Sequence, residues 1–219
     1  MISFNDILAN EEIKALIQGA DNTMKALGFT EHSFVHAGIV SRDAAKVLTE
    51  IGGFSDREIE LARIAGYMHD IGNMINRHDH ALTGGTLAYE ILKRLGMDTD
   101  EAIQISTAIG NHDESTGNAV SAISAALILA DKSDVRKSRV RCDEKEFDIH
   151  DRVNSAVMSS ELKINTETKV ITIKMEIDTE VSSVMDYFEI FLNRMIMCRK
   201  AADFFGMKLK IRANEMVLL

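Results

Sequence analysis

Five segments of this chain place a histidine or an aspartate where helical periodicity calls for an apolar residue. The clearest is His69-Asp70, in Ala65-Gly66-Tyr67-Met68-His69-Asp70-Ile71-Gly72. From Asp56 to Ile71, Leu61, Ile64, Ala65 and Met68 recur with a helical period, and His69 follows Ala65 by four. His36 precedes Val40 by four on the stripe Val40, Ala44, Val47 and Ile51. His80 heads the row Gly84, Leu87, Ile91 and Leu95. His112 comes three after Ile109 on the face Ala102, Ile105 and Ile109, and Asp131 comes four after Leu127 on the face Val120, Ser124 and Leu127. Burying one such group unpaired is costly, and for an isolated carboxylate prohibitive. A metal ion satisfies all five together, because imidazole nitrogen and carboxylate oxygen suit manganese, iron, cobalt, nickel and zinc. Helix bundles build metal sites this way, from inward-facing side chains on adjacent helices.

In order and spacing, these segments resemble the HD superfamily of metal-dependent phosphohydrolases. The resemblance runs from about His32 to Arg141. It is carried by His36 with Val40 and Ala44, His69-Asp70-Ile71-Gly72, His80-Ala81-Leu82-Thr83-Gly84, Ile109-Gly110-Asn111-His112 and Leu129-Ala130-Asp131-Lys132. It implies that His36, His69, Asp70 and Asp131 hold a divalent transition metal or Mg²⁺. His80 and His112 would hold a second ion. With one ion only, they would be free to act as a general acid and a phosphate donor. Asp70 would both hold metal and orient the attacking water. His32 lies four before His36 and shares its face; both are candidates for the first ligand, and the Val40 and Ala44 spacing favours His36. The chain departs from HD enzymes that cleave cyclic dinucleotides. Asn73 stands where they carry lysine, and their Gly-Tyr-Pro signature is absent from a chain with no proline. The His80–Gly84 and Ala130-Asp131 segments are more similar to HD enzymes acting on dinucleoside polyphosphates or nucleoside monophosphates.

A phosphate substrate calls for cations. Lys132 and Arg136 lie four apart beside Asp131, and Arg77 sits in the short segment between His69-Asp70 and His80. All three are candidates for the substrate phosphate; a solvated helix end or an exposed loop explains the same charges. Asp79, Asp113 and Glu114 adjoin the candidate ligands, as orienting carboxylates or as solvated loop acids. Asp134, three after Asp131, is placed to touch the same site. Gly-rich phosphate loops, Gly-x-Ser-x-Gly elbows and His-Glu-x-x-His helices are absent.

The chain has 219 residues, 46% hydrophobic, enough for a substantial core. A net charge of −9 argues against general nucleic-acid binding. Cys142 and Cys198, far apart, suit a reducing compartment rather than a disulfide framework. The first residues lack a basic region followed by an apolar run, and no apolar stretch approaches the ~20 residues of a membrane span. Ala119–Ala130 reads as a buried core helix, and a cytoplasmic protein is expected. The twelve methionines read as adaptable core filler.

The expected fold is mostly α: an HD-domain helical bundle over residues 1–145 and a small α+β appendage over 146–219. Glu11–Gly19 and Thr23–Leu27 read as two helical pieces, and Ser55-Asp56-Arg57-Glu58 as a capping box ahead of His69. In the appendage, Leu162–Asn165 and Lys169–Asp178 alternate like a β-hairpin. A long helix over Val181–Phe205 and a short strand over Lys208–Arg212 follow. The appendage is a candidate ligand site, active-site cap or homodimer interface. The functional expectation is hydrolysis of a small phosphate ester or anhydride, with a nucleotide first among substrates. The alternatives are a non-catalytic metal- or nucleotide-binding regulatory module and a di-iron oxygenase.

Overall fold

The computed structural model of the chain describes residues 1–141 and 149–217. Its first half is helical throughout. α1 (Phe4–Ala9) and α2 (Glu11–Ala26) lead to α3 (Phe34–Ile51) and α4 (Asp56–Met68), then α5 (His80–Arg94), α6 (Thr99–Gly110) and α7 (Ala122–Ser133). The helix starts are chemically marked. Ser55 accepts from the Glu58 amide while the Glu58 side chain takes the Ser55 amide, the expected capping box. Asp98 and Ser121 cap α6 and α7 in the same way, each side chain accepting from first-turn amides.

One sequence expectation fails here. The two pieces expected over residues 11–27 form the single helix α2. Ile13, Ile17, Ala20 and Met24 make one buried stripe through Asp21-Asn22, which do not interrupt it.

α7 is the axis of the bundle. Ile123 through Ala130 are all buried, so this helix is apolar all round, and α3, α4, α6 and α9 pack against it. Val120 is 50% exposed ahead of the Ser121 cap, not on the face assigned to it. α3 and α4 pack at very short range. A Cβ on Gly66 would sit 2.7 Å from the Ser41 Cα, and Ser41 donates its hydroxyl to the Arg63 carbonyl at 2.8 Å. That approach is what lets His36 and His69 face each other.

Beyond the helices lie α8 (Ile149–Ala156), β1 (Val157–Asn165), β2 (Val170–Ile177), α9 (Val184–Phe204), β3 (Lys208–Ala213) and β4 (Met216–Val217). β1 and β2 form the expected antiparallel hairpin, and β1 is longer than its Leu162–Asn165 signature. β3 pairs parallel to β2, so β2-α9-β3 is a crossover unit, and β4 closes the order β1-β2-β3-β4. α8 and β4 had no clear sequence signal. Ile171, Ile173 and Met175 of β2 and Leu209 and Ile211 of β3 are buried on one face of the sheet. They join the same hydrophobic core as Val40, Leu127 and Ile128 of the bundle. The 145/146 boundary and Cys142 fall outside the described residues. No helix among those described is long and apolar enough to cross a membrane.

Candidate metal centre

His69 and Asp70 follow the last turn of α4, and Ile71–Met74 continue as one 3-10 turn. His36 comes from α3, His80 from the first position of α5, His112 from just beyond α6 and Asp131 from α7. Adjacent rings meet edge to face: His36–His69, His69–His112 and His80–His112 have centroids 5.1, 5.0 and 5.0 Å apart. All four histidines are buried, at 3% exposure or less.

Each imidazole is held from outside by Nδ1. Nδ1 of His69 donates to the Gly66 carbonyl at 2.8 Å, of His112 to Ile109 at 2.6 Å, and of His80 to Arg77 at 3.0 Å. Nδ1 of His36 lies 2.7 Å from Asp134 Oδ2. A carbonyl or carboxylate partner requires the proton on Nδ1, which leaves the Nε2 lone pairs facing one another across the centre.

Asp70 divides the centre in two. Its Oδ2 lies 3.1 Å from His69 Nε2 and 3.6 Å from His36 Nε2; its Oδ1 lies 3.6 Å from His80 Nε2 and 3.7 Å from His112 Nε2. Asp131 Oδ1 completes the first half, 3.4 Å from His36 Nε2 and 3.6 Å from His69 Nε2. His36–His69–Asp70, His69–His112–Asp131 and Asp70–His80–His112 each bring three donor atoms within 4.8 Å of one another.

Divalent ions fit these donors on three observations. Nε2 of His36 and of His69 are buried with no hydrogen-bond partner, a costly state for a polar atom. The Nε2 atoms of His80 and His112 face each other at 3.2 Å. Charge balance also asks for a cation. Burial opposes ionisation of Asp70 and Asp131, yet His69 beside Asp70 and Lys132 beside Asp131 hold both carboxyls well below the usual range. Burial likewise opposes a charge on His69, but Asp70 and Asp131 raise it to about 10: with no ion bound, a proton on Nε2 takes the place between the two carboxylates that a metal cation would fill. Burial and then the neighbouring His112 press His80 down to about 3, keeping it a neutral donor.

His32 stands at the rim. Its Nε2 is 3.9 Å from Asp70 Oδ2, and its Nδ1 donates to the Thr30 carbonyl at 2.7 Å. His36 lies inside the ring of donors and His32 outside it.

The surrounding polar residues sort themselves by partner. Asn73, noted in the sequence only as a departure, is fully buried and donates Nδ2 to Asp70 Oδ1 at 2.7 Å. Asp134 orients His36 and is itself held by Arg136 Nε at 2.6 Å and Nη2 at 3.1 Å. Lys132 Nζ is 2.8 Å from Asp131 Oδ2 and 2.6 Å from Glu114 Oε2. Asp113 Oδ1 lies 4.0 Å from both Arg77 Nη2 and His80 Nε2, while Asp79 is exposed and pairs with His78.

The three phosphate candidates separate. Arg77 and Lys132 line a cavity of about 280 Å³ over the centre; Arg136 does not. The physical reason is local. α7 ends at Ser133 and Asp134 leaves the helical region (ψ 74°), so the four-residue spacing from Lys132 no longer places Arg136 on the same side. Arg136 instead pairs with Asp134 and Glu31. The cavity wall also includes residues that spacing did not single out: Phe29, Arg139, His150 and Asn154 of α8, and Phe191 and Arg194 of α9.

An uncharacterized protein of Methanocaldococcus jannaschii is 28% identical to this chain, over 81% of it and 76% of the relative's own length. The HD domain family model matches residues 33–170, the stretch that supplies every side chain of the ring just described. The chain belongs to the HD-domain family, within the superfamily of metal-dependent phosphohydrolases.

Proposed function

We propose that this protein is a two-ion phosphohydrolase that cleaves a small phosphate ester or anhydride, with a nucleotide as the substrate class. The observation that carries the reading is Asp70: one oxygen lies among His36 and His69, the other among His80 and His112. Two sets of donors sharing one carboxylate is the arrangement a pair of ions calls for. His36, His69, Asp70 and Asp131 would hold one ion, and Asp70, His80 and His112 the other. Manganese, iron, cobalt, nickel and zinc suit these donors best. When bound, such ions lower the pKa of water toward neutrality and offset charge on phosphoryl oxygens.

The chain's own residues supply the rest. Asn73 fixes the Asp70 carboxylate through Oδ1, and Asp134 fixes the His36 ring. Arg77, with Nη1 3.4 Å from Asn73 Oδ1 and 3.2 Å from His80 Nε2, is a donor for a phosphoryl oxygen entering the cavity. Lys132 holds the outer oxygen of Asp131 and leaves Oδ1 turned toward His36 and His69. A cytoplasmic location suits both the free thiol of Cys198 and a nucleotide substrate.

The test is phosphate release from nucleoside monophosphates and dinucleoside polyphosphates with Mn²⁺, Fe²⁺, Co²⁺, Ni²⁺, Zn²⁺ and Mg²⁺ in turn. The expected result is turnover with at least one transition metal, abolished in His69→Ala and Asp70→Ala. Full activity in both variants would sink the proposal. Metal and nucleotide binding without turnover on any substrate would replace it with a non-catalytic binding module.

A further inference from the structure

Four cations line the cavity over the metal centre: Arg77, Lys132, Arg139 and Arg194. Two are committed to protein partners, and Arg77 is the phosphoryl donor already assigned. Lys132 sits between Asp131 and Glu114. Arg139 donates Nε to the Glu31 carbonyl at 3.0 Å and Nη1 to the Asp134 carbonyl at 2.8 Å. Arg77 hydrogen-bonds Asn73 and His80 through its Nη1 only. Arg194 has no hydrogen bond to any described residue, and its Nε is buried without a partner. Its nearest acid is Glu114, at 3.8 Å, and the other oxygen of that carboxylate is occupied by Lys132.

The guanidinium is nevertheless held in place. It lies over the Phe191 ring, 4.2 Å from the centroid, and Phe191 is backed by Tyr187 at 4.9 Å. Residues 191 and 194 share a helix face by their spacing of three. Phe191 is also where α9 leaves helical geometry (φ −105°, ψ 17°), in a chain with no proline to cause a kink. Stacking fixes the guanidinium plane and leaves its N–H edge free, the geometry that suits an oxyanion.

We propose that Arg194 binds phosphoryl oxygens of the substrate, and that α9 with its Phe191 platform is thereby the recognition wall of the site. The inference rests on the phosphohydrolase reading and adds its substrate-anion residue. It assigns α9, read from sequence as part of an appendage, to the active site.

The experiment is calorimetric titration of Mn²⁺-loaded protein with inorganic phosphate, for the wild type, Arg194→Gln and Arg194→Lys, with manganese content measured on each sample. Loss of a charge-assisted hydrogen bond predicts that Arg194→Gln weakens phosphate binding roughly 10- to 100-fold. Manganese content is expected to be unchanged. Arg194→Lys should recover only part of the affinity, because an ammonium group lacks the planar fork. With the best nucleotide substrate, KM should rise by more than kcat falls. Wild-type phosphate affinity in either variant at full manganese content overturns the inference and leaves the phosphohydrolase reading standing. If Arg194→Gln does not fold, Arg194→Lys alone decides on the same criterion. A wild-type protein that binds no phosphate and cleaves no phosphate ester removes both.

Discussion

Gly72→Ala should damage the metal centre without replacing a single candidate ligand. Gly72 lies in the 3-10 turn after Asp70, where a Cβ would stand 2.0 Å from the His80 carbonyl oxygen and 2.5 Å from the Gly84 amide nitrogen. Both obstacles are backbone, so no side chain can move aside. Restoring even a 3.0 Å contact requires His80 and the start of α5 to retreat by about 1 Å. His80 Nε2 sits 3.6 Å from Asp70 Oδ1, so that retreat opens the half of the centre formed by His80 and His112. A misplacement of ~1 Å at a reacting centre costs on the order of 100-fold in rate. Overpacking of this kind also destabilises by roughly 1–3 kcal/mol, or about 2–12 °C in Tm for a chain of this size. Gly84→Ala is the internal control. Its Cβ would lie 3.2 Å from the His69 carbonyl oxygen and 3.3 Å from the Gly72 nitrogen, which a shift of a few tenths of an ångström relieves. Metal content, kcat and Tm of the two variants are the assay. Gly72→Ala with wild-type metal content and a rate within threefold of wild type would refute the reasoning. So would a Gly84→Ala variant damaged as badly.

Three further outcomes are expected. Asp134→Asn removes the carboxylate that accepts from His36 Nδ1; loss of such an orienting partner typically lowers metal affinity about 10- to 100-fold, measurable by competition with a chromogenic chelator. Lys132→Met leaves Asp131 and Glu114 without their shared buried cation; breaking a buried pair from one side costs about 3–5 kcal/mol, read in urea unfolding, and unchanged stability would mean that Lys132 is spare for substrate. Burial pushes the Cys198 thiol up to about 12, so in a Cys142→Ser variant the remaining thiol should resist a disulfide reagent until the protein unfolds; fast labelling of the native protein would contradict its burial.

The ring of donors was legible because five of its six members continue helical stripes, and Asp70 adjoins one of the five. His36 continues Val40 and Ala44, and Asp131 continues Leu127, so burial followed from spacing before any contact was known. The outer partners were not legible in the same way. Arg136 was misplaced because helical spacing was carried past Ser133, where Asp134 leaves the helix. Asn73 reads in sequence as a missing lysine, and only the 3-10 turn shows that three residues bring its amide back onto Asp70. Phe191 and Arg194 lie more than fifty residues beyond Asp131. No spacing rule ties residues of that separate helix to the ring. Gly72 is needed for space, since a Cβ there would meet the backbone of α5. The parallel pairing of β3 with β2 is likewise a long-range choice that alternation along one strand does not encode.

The most direct test of the central claim is the metal content of purified wild-type protein beside His80→Ala, His112→Ala and Asp70→Ala. If Asp70 is shared between two ions, the wild type holds about two per chain, His80→Ala and His112→Ala hold about one, and Asp70→Ala loses both. A single ion in the wild type, or full wild-type occupancy in Asp70→Ala, would contradict the two-ion account.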